Sequence, residues 1–113
     1  MIADDDSAIV DVLTLILEDA GYIVESTDDG RTIKDIKEDC PDLILLDIWM
    51  VGFDGRVICK YLKGNEPTKD IPLIMISANK DIKEIAMKAG ADDFIAKPFD
   101  MQDLLAKVAQ LIK

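Results

Sequence analysis

Acidic side chains stand at two places in the sequence where a short apolar run ends. Asp4, Asp5 and Asp6 follow the apolar start of the chain, and Asp47 follows the apolar run 43–46. If these runs are strands of one parallel sheet, their carboxyl ends bring the carboxylates into one crevice. Converging carboxylates repel one another, and the usual relief is a hard cation held by oxygen ligands. The spacing therefore predicts a divalent metal site.

Two further side chains with useful chemistry follow apolar runs later in the chain. Ser77 ends the run 73–76, and Lys97, with Pro98 behind it, follows another. A carboxylate at a metal site, with an ammonium and a hydroxyl nearby, is equipped to accept a phosphoryl group. The carboxylate attacks, and the metal, the ammonium and the hydroxyl hold the phosphoryl oxygens.

Each of these residues also has a structural alternative when it is considered alone. The three N-terminal aspartates could cap a helix that begins at Ser7. Asp47 could be a turn residue at a strand end. Ser77 could be a helix cap, and Lys97 a solvated surface charge. The phosphoryl-acceptor interpretation depends on their conjunction, because four different strands deliver complementary chemistry to one edge.

The elements that must position these side chains alternate between short strands and amphipathic helices. The runs 43–46 and 73–76 are apolar on both faces, as buried parallel strands are, and shorter strands are predicted at 1–3, 22–24 and 94–95. The predicted helices run from Ser7 to Gly21, through Ile33 and Ile36 to before Pro41, from Val57 to Gly64, from Ile82 to the cap Gly90, and from Met101 to Ile112. Five strands alternating with five helices predict an open parallel α/β sheet covered on both faces.

Length, charge and composition limit the class of protein. The 113 residues suffice for one domain with one core, and half of them are hydrophobic, which argues against disorder. A net charge of −10 without a Lys/Arg cluster predicts no direct contact of this chain with nucleic acid or an anionic membrane. The absence of histidine excludes a histidine base, ligand or phosphohistidine. No apolar run is long enough to span a membrane, and the sequence does not open on a leader peptide. Cys40 and Cys59 fit neither a metal-binding nor a disulfide pattern. We therefore expect a cytoplasmic protein.

Taken in order, the motifs resemble those of the receiver domain of two-component response regulators, over essentially the whole chain. The matching pieces are ADDD at 3–6, LILLDIWM at 43–50, DG at 54–55, IPLIMISA at 71–78, AGADDF at 89–94 and KPF at 97–99. The resemblance implies a single receiver domain over residues 1–113 with the flavodoxin-like fold of the chemotaxis response regulator. That fold has a five-stranded parallel sheet of strand order 2-1-3-4-5 with five helices on both faces.

The resemblance also implies roles at the metal and phosphoryl site. Asp47 is implied to be the phosphoacceptor. Asp4 and Asp5 would hold Mg²⁺, or Mn²⁺ in its place, directly or through water, and the backbone carbonyl of Trp49 would be a further ligand beside Asp47. Lys97 would pair with Asp47 or with its phosphoryl group.

A conformational switch is implied by the same resemblance. Ser77 takes the family's hydroxyl position, and Phe94 takes its rotating aromatic position. Ala78 is small where the acyl phosphate must be accessible, and the peptide bond before Pro98 is expected to be cis. Phosphorylation would draw Ser77 inward, let Phe94 turn, and reshape the surface of the fourth helix, fifth strand and fifth helix.

The implied phosphoryl donor is a phosphohistidine on a sensor histidine kinase or a histidine phosphotransfer protein. That partner supplies the histidine that this chain lacks. The chain is expected to accept phosphoryl groups and to dephosphorylate itself, but not to turn over an external substrate. No downstream effector is assigned.

Four features depart from the family's usual pattern or modify it. Val51 stands where proline is usual, so we expect a more mobile loop. The segment from Ser77 to Lys97 is short, so the loop into the fourth helix or its first turn should be trimmed. Little precedes Asp4, which suggests that the sequence begins inside the first strand. An indole at Trp49 could crowd the hydrolytic water and slow autodephosphorylation, or it could lie outward on the loop.

Two rival functions fit parts of the sequence. A phosphohydrolase resembling the haloacid-dehalogenase group would use Asp4 and Asp6 as nucleophile and acid, Ser77 as its second motif, and Asp92 and Asp93 as metal ligands. Its lysine should precede that final acid pair, whereas Lys97 follows it. A pseudo-receiver that folds alike but is never phosphorylated is the second rival, although every chemical residue is present. Dinucleotide binding lacks its glycine fingerprint.

Overall fold

The structure is a computed structural model that describes residues 1–36 and 40–112. Its elements in chain order are β1 (Ile2–Ala3), α1 (Ser7–Asp19), β2 (Ser26–Thr27), α2 (Gly30–Lys34), β3 (Ile44–Asp47), β4 (Trp49–Met50), β5 (Phe53–Asp54), α3 (Gly55–Lys63), β6 (Leu73–Ser77), α4 (Ile82–Ala89), β7 (Asp93–Ala96) and α5 (Met101–Leu111).

Five of these strands form one parallel sheet in the order β2-β1-β3-β6-β7. Counting only the sheet strands, this is the order 2-1-3-4-5, and the predicted fold class is confirmed. In the register, Ala3 lies beside Leu46, and Asp47 lies beside Ile76. The carboxyl ends of the central strands therefore meet at one edge of the sheet, which we call the carboxyl edge.

Alternate residues of the central strands point into two separate apolar cores, one on each face. On β3, Ile44 and Leu46 belong to one core, and Leu45 belongs to the other. On β6, Met75 lies in the first core, with Ile44 and Leu46, and Ile74 lies in the second, with Leu45. Such two-sided burial is the physical reason that these runs are apolar throughout rather than alternating.

Aspartates begin several helices by accepting hydrogen bonds from free backbone amides of the first turn. Asp6 caps α1 through the amides of Ala8 and Ile9 at 3.0 and 3.4 Å. The structural alternative raised for the N-terminal aspartates is therefore correct for Asp6. At the other end of a helix, Gly90 closes α4 with a φ of 88°, as its position in the sequence predicts.

The second strand does not lie where the apolar residues 22–24 predict it. β2 is Ser26–Thr27, and Ile23 is 96% exposed. The parallel register places Ile2 beside Ser26 and Ala3 beside Thr27. The predicted strand at 22–24 therefore lies just before the observed pairing, because an apolar run does not by itself determine the register.

Two other differences lie in the first half of the chain. The second helix ends at Lys34, before Ile36, and the rest of its predicted span falls partly outside the described residues. A small antiparallel hairpin, β4–β5, was not predicted. Among the described helices, none combines the length and the apolar character needed to cross a bilayer.

Candidate functional site

Three carboxylates converge at the carboxyl edge. Asp4 directly follows β1, and Asp47 is the last residue of β3. One oxygen from each of Asp4, Asp5 and Asp47 lies within 4.8 Å of the others. Asp4 and Asp47 are only 3% and 7% exposed, whereas Asp5 is open to solvent. The donor set and its spacing suit a hard divalent cation.

Backbone amides orient each of these carboxylates. The Asp6 amide donates to Asp4 Oδ1 at 2.9 Å, and the Trp49 amide donates to Asp47 Oδ1 at 3.4 Å. The amide of Val51 donates to Asp5 Oδ2 at 2.6 Å. Two of the three donors belong to the β4–β5 hairpin, so its shape helps to set the direction of the acidic side chains.

Lys97 brings the neutralising cation from the end of β7. Its backbone amide donates to the Ser77 carbonyl at 2.9 Å, which extends the β6–β7 pairing. Its Nζ donates to Asp4 Oδ2 at 3.2 Å and lies 3.8 Å from Asp47 Oδ1. The resemblance implied a pairing with Asp47, and in this structure Lys97 is closer to Asp4. Within residues 1–36 and 40–112, Lys97 is the one ammonium paired with this cluster of three carboxylates, so the cluster keeps an excess of negative charge.

This excess charge falls most heavily on Asp47. Burial raises the pKa of its carboxyl to about 6, and the neighbouring Asp4 carboxylate acts in the same direction. The Lys97 ammonium and the Trp49 amide hold that pKa down, but they only partly compensate. A buried carboxylate under such repulsion is relieved by a proton or by a cation.

Glycine allows α3 to begin directly against the end of β3. A Cβ on Gly55 would lie 2.5 Å from the Asp47 carbonyl oxygen and 2.6 Å from the Ile48 Cα. Real side chains do not tolerate such contacts, so any other residue would push α3 away from β3. The Asp-Gly pair that supports the family resemblance therefore has a steric reason in this chain.

The two residues that the resemblance implies for the switch lie on β6 and β7, and their described side-chain hydrogen bonds do not involve Asp4, Asp5 or Asp47. Ser77 ends β6, is 3% exposed, and its Oγ accepts from the Asn79 amide at 3.0 Å. Phe94 is half-buried against the core and lies beside Met75 in the ladder. Lys107 covers the Phe94 ring at 4.7 Å and donates to the Phe94 carbonyl at 2.6 Å.

The two remaining site predictions concern the neighbours of Ser77 and Lys97. Ala78 directly follows β6 and is exposed, so it places little bulk at the rim of the acidic cluster. The peptide bond between Lys97 and Pro98 is cis.

The hairpin is the part of the site that sequence reasoning missed. Trp49 pairs with Asp54 and Met50 with Phe53 across an antiparallel turn that contains Gly52 with a φ of 80°. The signal in the sequence is short: a glycine in the turn, followed by the Asp-Gly pair that starts α3. Four strand residues are too few for a periodic pattern.

Comparison with known proteins identifies the family. The family "Response regulator receiver domain" matches residues 1–109. The DNA-binding dual master transcriptional regulator RpaA of Synechocystis is 39% identical over all of this chain and 48% of its own length. The chain thus spans about half the length of this curated relative.

Solved receiver domains have the same fold. The receiver domain of a signal transduction histidine kinase from Syntrophus aciditrophicus superposes with a TM-score of 0.89 at 33% identity, covering 98% of this chain and 86% of that one. The receiver domain of sensor histidine kinase PA1611 from Pseudomonas aeruginosa has a TM-score of 0.84 at 26% identity, covering 98% and 93%. That protein holds a magnesium ion in its active-site cleft.

The relatives correct one prediction about partners. Excluding nucleic acid was wrong, because RpaA is a DNA-binding protein. The exclusion depended on the charge of residues 1–113, which correspond to only about half of that relative. The charge of one part of a protein does not limit the partners of the whole.

The family match over residues 1–109, the curated relative and the superposed receiver domains all point to one family. This chain belongs to the response regulator receiver domain family, whose members work in two-component signalling and are not multiple-turnover enzymes.

Proposed function

We propose that Asp47 accepts a phosphoryl group from a phosphohistidine of a partner kinase or phosphotransfer protein. A carboxylate oxygen of Asp47 attacks phosphorus, the P–N bond to the imidazole breaks, and the imidazole leaves with its electron pair and takes a proton. Water later hydrolyses the acyl phosphate and returns the carboxylate. The observation that carries the proposal is the buried Asp47, which is held between two carboxylates and one ammonium.

Asp4, Asp5 and Asp47 would hold Mg²⁺, with the carbonyl of Trp49 as a fourth ligand from the chain. The Gly55 amide donates to the Ile48 carbonyl at 2.6 Å, directly beside the Trp49–Asp54 pair of the hairpin. Bonded and non-bonded pairs alternate in an antiparallel ladder, so the Trp49 carbonyl is not used by β5. When bound, Mg²⁺ supplies the positive charge that offsets the carboxylates and the incoming phosphoryl oxygens.

Lys97 is suited to follow the negative charge as it grows on the phosphoryl group. Its Nζ already lies between Asp4 and Asp47, at 3.2 and 3.8 Å. A small movement exchanges the Asp4 contact for a phosphoryl oxygen. Charge-assisted bonds of this kind are among the stronger hydrogen bonds in proteins.

We further propose that phosphorylation moves Ser77 and Phe94. To reach a phosphoryl oxygen, the Ser77 hydroxyl must leave the Asn79 amide. To turn, the Phe94 ring must leave the Lys107 ammonium. Reversing a 1:99 population takes about 5.5 kcal/mol of differential interaction, and two or three charge-assisted bonds can supply it. The affected surface is that of α4, β7 and α5. Ser77→Ala should still accept phosphate but respond poorly in chemical shifts near Phe94.

The phosphohydrolase alternative finds no support in the position of its second acid pair. Asp92 accepts from the Leu73 amide at 2.8 Å and from Lys63 Nζ at 2.6 Å, at the end of the sheet opposite Asp47. Asp93 lies 3.6 Å from Lys107 Nζ. Both carboxylates are held away from the cluster that contains Asp4.

The free thiols of Cys40 and Cys59 are consistent with the cytoplasm as the site of action.

Phosphoramidate tests the proposal directly, because it carries the same kind of P–N bond as a phosphohistidine. With Mg²⁺, the wild type should acquire acid-labile phosphate on a Phos-tag gel, and chelation of the metal should prevent it. Asp47→Asn should remain unlabelled, Asp5→Ala should be labelled more slowly, and the exposed control Asp11→Asn should behave as wild type. Undiminished labelling of Asp47→Asn would overturn the assignment, and sustained turnover of p-nitrophenyl phosphate would favour a hydrolase.

A further inference from the structure

The hairpin that follows the phosphoacceptor is closed by more than its backbone. Trp49 and Asp54 face each other in a non-hydrogen-bonded pair, which is the pair type whose side chains approach most closely. Arg56, on the first turn of α3, reaches both of them. Its guanidinium carbon lies 4.7 Å from the centre of the Trp49 ring.

The contact of Arg56 with Asp54 is a fork. Nη2 donates to Oδ2 at 2.7 Å, and Nε donates to Oδ1 at 3.0 Å. Asp54 also accepts from the Arg56 amide at 2.9 Å and so caps α3. One planar side chain therefore connects the indole of β4, the carboxylate of β5 and the start of α3. A forked pair that also lies on an indole fixes orientation better than either contact alone.

This hairpin is also the source of two donors to the acidic cluster. The amide of Trp49 holds Asp47, and the amide of Val51 holds Asp5. Val51 stands where the family resemblance leads one to expect proline, so the chain lacks that restriction on the loop. The contacts of Arg56 with Trp49 and Asp54 can restrict the conformation of the loop in place of a proline.

We propose that Arg56 is a positioning residue for the phosphoacceptor site, which it serves by fastening the β4–β5 hairpin through Trp49 and Asp54. It does not touch the reacting atoms. It acts through the hairpin amides that orient Asp47 and Asp5, and through the Trp49 carbonyl assigned above to Mg²⁺. The inference rests on the proposed function of this site.

The chain contains its own matched control. Asp29-Gly30-Arg31 repeats the tripeptide Asp54-Gly55-Arg56, and Asp29 caps α2 through the Arg31 amide at 2.8 Å. There the guanidinium lies 3.4 Å from the carboxylate oxygens, and none of the described contacts joins it to the carboxyl-edge hairpin. Arg31→Met and Arg56→Met thus each remove a guanidinium that pairs with the aspartate capping its helix. Only Arg56 lies beside the hairpin of the acidic cluster.

The experiment measures Mg²⁺ affinity by calorimetry, without any phosphoryl donor. Arg56→Met should weaken Mg²⁺ binding roughly tenfold, at the lower end of the effects known for residues that orient metal ligands. Arg31→Met should leave the affinity unchanged, and Arg56→Lys, which keeps the charge but not the fork, should fall between. Because the Arg56 side chain is 45% exposed, its loss should lower Tm by no more than about 5 °C. Acrylamide, a neutral quencher that does not respond to the lost charge, should also quench the single tryptophan more strongly in Arg56→Met.

The outcomes separate this inference from the proposed function. If wild type is labelled on Asp47 while Arg56→Met and Arg31→Met both bind Mg²⁺ as wild type does, the positioning role is refuted and phosphotransfer stands. If wild type is not labelled, the proposed function itself fails. If Arg56→Met does not fold, Arg56→Lys decides: wild-type Mg²⁺ affinity and quenching in that variant refute the role of the fork.

Discussion

The two ends of the parallel sheet differ in how their charged side chains are paired. At the carboxyl edge, Asp4 and Asp47 pair with the ammonium of Lys97, and Asp5 adds a third carboxylate that none of the described ion pairs neutralises. At the opposite, amino edge, the carboxylate of Asp92 meets one ammonium and one backbone amide. Those donors are Lys63 Nζ at 2.6 Å and the amide of Leu73 at 2.8 Å.

The difference between the edges separates a structural ion pair from a functional one. Lys63 also donates to the Ile71 carbonyl at 2.9 Å, so the amino edge joins α3, β6 and the start of β7 with matched charges. The carboxyl edge is connected just as densely, yet its charges do not balance. A fold gains nothing from unbalanced buried charge, so such an imbalance marks a place that binds a cation or changes its charge.

Carboxylate-to-amide substitutions at the two edges should therefore change stability in opposite directions. Without Mg²⁺ at pH 7.5, Asp47→Asn should raise the free energy of unfolding by about 1–2 kcal/mol, because it removes repulsion from a buried site. Asp92→Asn should lower it by up to about 1 kcal/mol, because it removes the pair with the Lys63 ammonium, which solvent partly screens. Urea unfolding followed by circular dichroism measures both. Equal signs for the two variants would contradict the comparison.

Mg²⁺ should restore the balance at one edge only. At a concentration of one hundred times its dissociation constant, a ligand of the folded state alone adds about 2.7 kcal/mol of stability. The wild type and Asp92→Asn should both gain this increment, and Asp5→Ala should gain much less. Thermal melts with and without Mg²⁺, repeated with a chelator, provide the measurement. Identical melting curves for the wild type would argue against a metal site at the carboxyl edge.

The pH dependence of stability follows from the raised pKa of Asp47. Its folded-state pKa of about 6 exceeds the ordinary 3.8, so the folded protein binds the proton more tightly. The stabilisation that comes from this tighter proton binding is fully present below pH 3.8 and is lost as the pH rises through 6. Without Mg²⁺, the free energy of unfolding of Asp47→Asn should exceed that of the wild type by an amount that grows between pH 4 and 7.5 to about 1–2 kcal/mol. This is less than the full pKa difference implies, because solvent screens part of the repulsion. An advantage independent of pH would contradict the assignment.

The sequence predicts the carboxyl edge well because its signals come from strand ends. Runs buried on both faces locate β3 and β6, and the next polar residue, Asp47 or Ser77, must then lie at the edge. Residues 22–24 mislead because apolar character does not determine pairing. β2 lies at Ser26–Thr27, where β1 offers partners.

Contacts between side chains are harder to predict from the sequence. Nothing in the residue order places Lys97 closer to Asp4 than to Asp47, because the two oxygens compete at distances that differ by less than 1 Å. The same applies to Arg56. The tripeptide Asp-Gly-Arg occurs twice in the sequence, and only the folded hairpin brings one copy against Trp49.

The smallest expected effect concerns how long the carboxyl edge keeps its phosphoryl group. Trp49 lies two residues past Asp47, and its amide already contacts that carboxylate. Its indole is half exposed, with the Arg56 guanidinium on the ring. An indole offers one donor and no good acceptor, so it can crowd a hydrolytic water but cannot orient it. An amide at this position can orient the water.

Trp49→Asn should therefore shorten the half-life of the acyl phosphate roughly threefold, a change of under about 1 kcal/mol in the barrier. Phosphate release after removal of the donor measures it, with Tyr61→Asn on α3 as the control for loss of an exposed aromatic. An unchanged half-life would mean that the indole lies outward on the hairpin and leaves the path of the water open.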